Sequence, residues 1–261
     1  MEIAGYVAAL LIGLSLGLIG GGGSILTVPI LVYFFKIDAL TATVYSLFIV
    51  GFTSLAGAIS HYQKGNVNFR VAFLFGFPSL VSVFIMRKWL MPAIPHHLMN
   101  IASFELTKPL LLMLVFAMLM VAASVSMVRN KQVTANDEPP NHTILFIQGL
   151  LVGVITGFVG VGGGFLIIPS LIKFAALPMR KAVGTSLMIM SISSLLGVVG
   201  DVSRQATINY NFLISFSAFT ITGIIVGAYF TKFINDAKLK PVFGWFVLFM
   251  GIFVFFTTLI K

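Results

Sequence analysis

The residues best placed to do chemistry in this chain are glycines. Glycines 20–23 and Ser24 stand near the N-terminus, and Gly160-Val161-Gly162-Gly163-Gly164-Phe165 follows 140 positions later. Each cluster interrupts apolar sequence, and each is followed by a proline, Pro29 or Pro169. Glycine is costly inside a helix and permits backbone angles closed to other residues, so each cluster predicts a helix break. A short helix restarting after the break presents unpaired amides and the positive end of its dipole. Such a terminus holds an anion without any charged side chain, and the bare backbone lets the ligand come close. The candidate ligands are Gly21, Gly22, Gly23 and Ser24 in the first copy, with Gly162, Gly163, Gly164 and Phe165 in the second. Either cluster alone fits tight helix packing or a hairpin turn equally well. Two with matched flanks favour the ligand role.

Hydroxyls and a few ionisable groups come next. Ser46, with Thr43 and Tyr45 beside it, and the later pair Thr185 and Ser186 lie near the starts of equivalent segments. They can complete an oxyanion shell, or simply bond to the carbonyl of the preceding turn. Glu105 and Lys108 are three apart on one face of an expected span over 101–128, where charge is rare and expensive. They are candidates for proton relay or gating, although lysine near a span end also snorkels to the interface. His61 and Asp201 fall at equivalent span ends and are further candidates for coupling or gating. Arg87, Lys88 and Trp89 read as an interfacial anchor. The chain has four histidines and no cysteine. His96 and His97 are adjacent and would face apart on a helix, so no metal site is expected. No nucleophilic triad, phosphate loop or dinucleotide fingerprint is present, and no cofactor is expected.

Composition sets where these groups must work. Of 261 residues, 59% are hydrophobic and only 9% charged, with a mean hydropathy of +1.08. Long blocks of Phe, Leu, Ile and Val predict segments solvated by lipid, hence an all-α polytopic membrane protein. The net charge of +9 does not point to nucleic acid, because Lys and Arg sit singly or in pairs at the ends of apolar blocks. Residues 3–19 are expected to be retained, since their flank carries Glu2 and no basic residue, unlike a secretory signal.

The 140-residue offset also superposes Gly13 on Gly153, Gly17 on Gly157, Ser54 on Ser194 and Gly57 on Gly197. It divides the chain into a first repeat at 1–128, a polar linker at 129–143 and a second repeat at 144–261. Each repeat is expected to be a broken-helix hairpin plus three transmembrane helices, about 8–10 helical segments in all. The hairpin arms fall at 3–19 with 25–36, and at 144–159 with 165–175. Pro29 is expected in the first turns of its helix, where a missing amide does little harm, with Ser24 as the cap. A hairpin plus three crossings is an odd number of passes, so the repeats would be inverted. The Lys and Arg count agrees: ten fall on one side and five on the other, with Lys108 inside a span. Treating each break as a kink in one crossing helix gives nine against six. The first arrangement puts both termini outside and the linker in the cytoplasm.

At these glycines the chain resembles the TauE/SafE membrane proteins, the sulfite exporter family. The resemblance rests on glycines 20–23 with Ser24 and Pro29, and on Gly160-Val161-Gly162-Gly163-Gly164-Phe165 with Pro169. Ala182-Val183-Gly184-Thr185-Ser186 extends it, and essentially the whole chain is covered. The first copy departs from the pattern at Thr43-Val44-Tyr45-Ser46, where a bulky Tyr45 stands. The resemblance implies a secondary carrier in a prokaryotic plasma membrane for sulfite, thiosulfate or an organosulfonate such as sulfoacetate. The expected function is transport of such an anion, bound between the broken-helix N-termini and moved by one half rocking against the other. An anion channel or uncoupled facilitator is the alternative, and no enzyme activity is expected. The expected partners are the small anion, the lipid bilayer and a proton as coupling ion, with no nucleic acid and a homo-oligomer left open.

Overall fold

The computed structural model describes residues 2–21, 23–95, 97–101, 104–128, 142–202, 209–230 and 236–259. The first half forms α1 (Glu2–Ile19), α2 (Ser24–Tyr33), α3 (Ala39–Gln63) and α4 (Phe69–Ile85). Helix α4 runs on through a π-helical turn, Met86–Leu90, into α5 (Met91–Ala93). A short antiparallel pair, β1 (His97–Ile101) and β2 (Phe104–Thr107), leads into α6 (Lys108–Val128). The second half forms α7 (His142–Val159), α8 (Gly164–Phe174), α9 (Met179–Val202), α10 (Tyr210–Phe230) and α11 (Asp236–Leu259). Among the described residues, six helical stretches are long and apolar enough to cross a membrane: Ala39–Gln63, Phe69–Ala93, Lys108–Val125, His142–Val159, Met179–Asp201 and Tyr210–Phe230. The chain is a multi-pass helical membrane protein.

Local sequence explains where these helices start. Asp38 accepts from the amides of Leu40 and Thr41 at the head of α3. Asn68 and Asn209 do the same for Val71 in α4 and Phe212 in α10. Each satisfies amides that a helix cannot pair for itself. Helices α2 and α8 have only 10 and 11 residues, about 15–17 Å of rise against a bilayer core of about 30 Å. The chain doubles back at the first break: a β-carbon on Gly23 would lie 2.5 Å from the Ile12 carbonyl oxygen and 2.9 Å from the Leu16 amide nitrogen.

The centre of the molecule is the pair α3–α9. Gly51 packs on Leu195, Gly57 on Leu187 and His61 on Gly184, so ascending numbers on one helix meet descending numbers on the other. These equivalent helices therefore run antiparallel. A β-carbon on Gly57 would sit 3.1 Å from the Leu187 Cδ1, and one on Gly197 would sit 3.1 Å from the Leu47 Cδ1. The same contact thus occurs twice, with its members exchanged between the halves. Around this pair, α1 lies along α10 and α7 along α4, each through glycines that bring backbones together. Gly13 meets Thr220 and Ile224, while Gly153 meets Ser79 and Ser82. Each repeat thus lends its outer helix to the other.

Three local expectations are corrected. The stretch expected as one span over 101–128 is a strand pair followed by α6, so Glu105 lies in β2 opposite Asn100 and shares no helical face with Lys108. Pro29 and Pro169 lie inside α2 and α8, past the first turn. The π-helical turn prolongs α4 beyond its expected end near residue 86, and it carries Arg87 inward. Residues 129–141 of the linker lie outside the described residues.

Candidate functional site

The two breaks meet. A β-carbon on Gly164 would come within 2.5 Å of the Gly21 Cα, and one on Gly21 would lie 2.5 Å from the Gly164 carbonyl oxygen. Both glycines are buried, so bare backbone from one hairpin lies directly on bare backbone from the other. Gly23 precedes α2 in right-handed geometry, whereas Gly163 precedes α8 at φ +71°, a conformation that favours glycine. Ser24 is the first residue of α2, and its hydroxyl donates 2.8 Å back to the Gly21 carbonyl. It therefore fastens the break and does not cap the helix, contrary to expectation. Of the leading amides, Leu26 donates to the Gly23 carbonyl at 3.1 Å, and Leu166 and Ile167 donate to the Gly163 carbonyl at 2.9 and 3.0 Å. It is the amides ahead of them, at the very start of α2 and α8, that lack a carbonyl of their own helix. Phe165, half-buried, is the second residue of α8. Gly22 lies outside the described residues.

Polar side chains gather on the second break. At its start Gly160 has φ +74° and packs against Thr43 and the Arg87 Nη2, where any side chain would collide. Arg87 is only 2% exposed. Its Nη1 donates to the Thr43 hydroxyl and to the Asp201 carboxylate, both at 3.0 Å. Its Nε and Nη2 have no partner. Further along, a β-carbon on Gly162 would lie 3.4 Å from the Ser194 Oγ, and Gly163 packs on the Thr156 hydroxyl. Both of those hydroxyls are buried and unpartnered. A guanidinium and two hydroxyls therefore line one short, unwound segment.

The remaining expected residues divide. Ser46 is buried with an unpartnered hydroxyl. Ser186 donates to the Val183 carbonyl at 2.8 Å, the plain in-helix bond. Thr185 accepts from the Asn68 amide at 3.0 Å, and the equivalent Tyr45 accepts from the Asn209 amide at 2.8 Å. These two hydroxyls tie the loops before α4 and α10 to the central pair. His61 is buried against Gly184 with an unpartnered Nδ1. Lys108 is buried and donates to the carbonyls of Met91 and Ile94. The side chain of Glu105 lies outside the described residues.

Sequence reasoning missed Arg87, Thr156 and Ser194 as site residues. It read Arg87 as an interfacial anchor, and the burial of that side chain against Gly160 and Asp201 corrects this. The usable signals were Asp201, an acid at the end of an apolar block in need of a counter-ion, and Ser194, matched to Ser54 by the repeat.

The profile of the TauE/SafE sulfite exporter family matches residues 6–256. The chain belongs to that family. A "Probable membrane transporter protein" of Xylella fastidiosa (strain Temecula1 / ATCC 700964) is 30% identical to this TauE/SafE protein over 253 residues, covering 94% of the chain and 91% of the relative. The "Probable membrane transporter protein YdhB" of Bacillus subtilis (strain 168) is 28% identical over 230 residues, covering 88% and 90%. A third, from Haemophilus influenzae (strain ATCC 51907 / DSM 11121 / KW20 / Rd), is 25% identical over 266 residues, covering 94% of each. No solved structure matches the chain. TauE/SafE membership makes this multi-pass protein a membrane transporter.

Proposed function

We propose that this transporter carries a small sulfur-containing anion, such as sulfite, thiosulfate or an organosulfonate, between the facing breaks at residues 20–24 and 160–165. The observation that carries the reading is the meeting of Gly21 with Gly164 inside the buried core. Unwound backbone at this depth needs protein or a watery cavity around it, because unpaired amides in lipid cost on the order of several kcal/mol. Here it also gathers the leading amides of α2 and α8, which attract negative charge. The bare backbones touch, so the anion enters only when the two hairpins part, as alternating access requires. The antiparallel approach of α3 and α9 supports inversion of the repeats, and the Lys and Arg count favours external termini and a cytoplasmic linker in a plasma membrane.

The packing favours moving units other than the two sequence halves. The close backbone contacts join α1 to α10 and α4 to α7. The favoured rocking bodies are therefore α1 with α2 and α10, and α7 with α8 and α4, working against the α3–α9 pair.

Uptake and counterflow of sulfite, thiosulfate, sulfate and sulfoacetate into proteoliposomes test this reading. At least one of these anions is expected to saturate transport. Gly164→Val, whose side chain meets the Gly21 backbone, is expected to abolish flux in protein that still inserts and elutes as a single species. Full flux in that variant, or none for any anion with the unmodified chain, refutes the proposal.

A further inference from the structure

Arg87 is the most unusual side chain in the molecule, a guanidinium only 2% exposed within a membrane-spanning helix. One of its edges is engaged, with Nη1 held at 3.0 Å by both Thr43 and Asp201. The other edge, Nε with Nη2, has no partner. Those two groups donate in parallel from one side of the plane, the geometry that matches two oxygens of a single oxyanion. An unpaired buried donor is costly, and a charged one more so. A full edge of a buried charged group left unsatisfied therefore calls for a ligand.

The surroundings agree. The Nη2 packs against Gly160, where any side chain would collide with it. The Arg87 Cβ is wedged beside Gly200, at 3.2 Å from the position of a β-carbon there, so the stem is fixed by α9. The π-helical turn Met86–Leu90 aims the side chain inward, and such turns recur at functional positions. Two unpartnered hydroxyls, Ser194 and Thr156, stand along the same break at Gly162 and Gly163.

We infer that the free Nε–Nη2 edge of Arg87 is the charged anchor of the transported anion, which docks at the Gly160 end of the second break with two of its oxygens on the guanidinium. Asp201 and Thr43 orient the guanidinium from behind, and Asp201 also competes for its charge. The ligand class is an oxyanion with at least two acceptor oxygens on one centre, as in sulfite or a sulfonate, which sets one oxygen against each donor of the edge. The inference rests on the proposed anion transport and adds a side chain to a site otherwise built from backbone.

Sulfite titration by calorimetry, on purified full-length protein in phosphatidylcholine nanodiscs, tests it alongside sulfite counterflow. Arg87→Lys keeps the positive charge and loses the bidentate edge, and is expected to weaken sulfite binding at least tenfold. Asp201→Asn removes the competing charge and is expected to tighten it about threefold, a change that a merely structural ion pair would not produce. Should Arg87→Lys fail to fold, the neutral double variant R87Q/D201N removes both buried charges together and is expected to fold without binding sulfite. Wild-type affinity in either Arg87 variant overturns the inference while leaving anion transport intact. Absence of sulfite binding and of flux for the whole anion panel in the unmodified chain overturns the transport reading itself.

Discussion

The two glycine breaks are alike in sequence and opposite in surroundings. Gly160 borders Arg87 and Thr43, whereas the nearest neighbour of its counterpart Gly20, at φ +83°, is the side chain of Val183. Under the same offset Val183 replaces Thr43, His61 replaces Asp201 and Gly227 replaces Arg87. Gly227 closes on Leu14 and Gly17, so helix backbone fills that side of the first copy. The main-chain architecture is alike at both breaks, and a buried cation stands at one of them. A pair of equal breaks would grip an anion symmetrically; on the proposed reading, this pair offers it one strong end and one weak end.

Several substitutions break or sharpen that contrast. Arg87→Gln should have the largest effect, because it strands Asp201 in the interior; a buried pair broken on one side typically costs about 3–5 kcal/mol. His61→Gln, at the equivalent end, should cost less than about 1 kcal/mol, since no salt bridge is lost. Denaturant unfolding in micelles compares the two, and equal losses would erase the distinction.

A middle-sized effect is expected from alanine at the two breaks. Gly160→Ala and Gly20→Ala share the left-handed backbone penalty of about 1–2 kcal/mol. Adding Val183→Ala to Gly20→Ala should recover everything but that penalty, because only a valine is displaced. Adding Thr43→Ala to Gly160→Ala should not restore sulfite affinity, because the displaced group is Arg87. Melting temperature and calorimetric titration distinguish the outcomes.

Thr43→Val should come next. It makes the polar end resemble the apolar one and removes one hydrogen bond from a charged donor, worth about 1.5 kcal/mol by the same unfolding assay. The smallest effect belongs to Ser194→Ala. That hydroxyl has no protein partner, so stability should move by less than about 0.5 kcal/mol. The KM for sulfite should rise about threefold, as for one neutral hydrogen bond to ligand. An unchanged KM would remove Ser194 from the site.

How much of this was legible depends on the range of the signal. The breaks, the repeat and most spans could be read because glycine clusters and hydropathy act within a few residues. The β1–β2 pair was hidden, since Leu98, Met99 and Ile101 merge in apolarity with α6 and no glycine separates them. Arg87 was hidden for a different reason. An arginine at the end of an apolar block either snorkels outward or turns in, and the choice depends on a π-helical turn and on Asp201, 114 positions away. The exchange of helices between halves is likewise a property of tertiary packing alone.

That exchange constrains how the protein is made. The glycine face of α1, at Gly13 and Gly17, packs on Thr220, Ile224, Gly227 and Ala228 of α10. Its partner is translated roughly 200 residues later, a delay of roughly 10–40 s at ordinary rates of synthesis. Until then α1 must wait in the bilayer with that glycine face unmatched, held by its own hairpin or by the insertion machinery. Its closure thus depends on a helix made long after it.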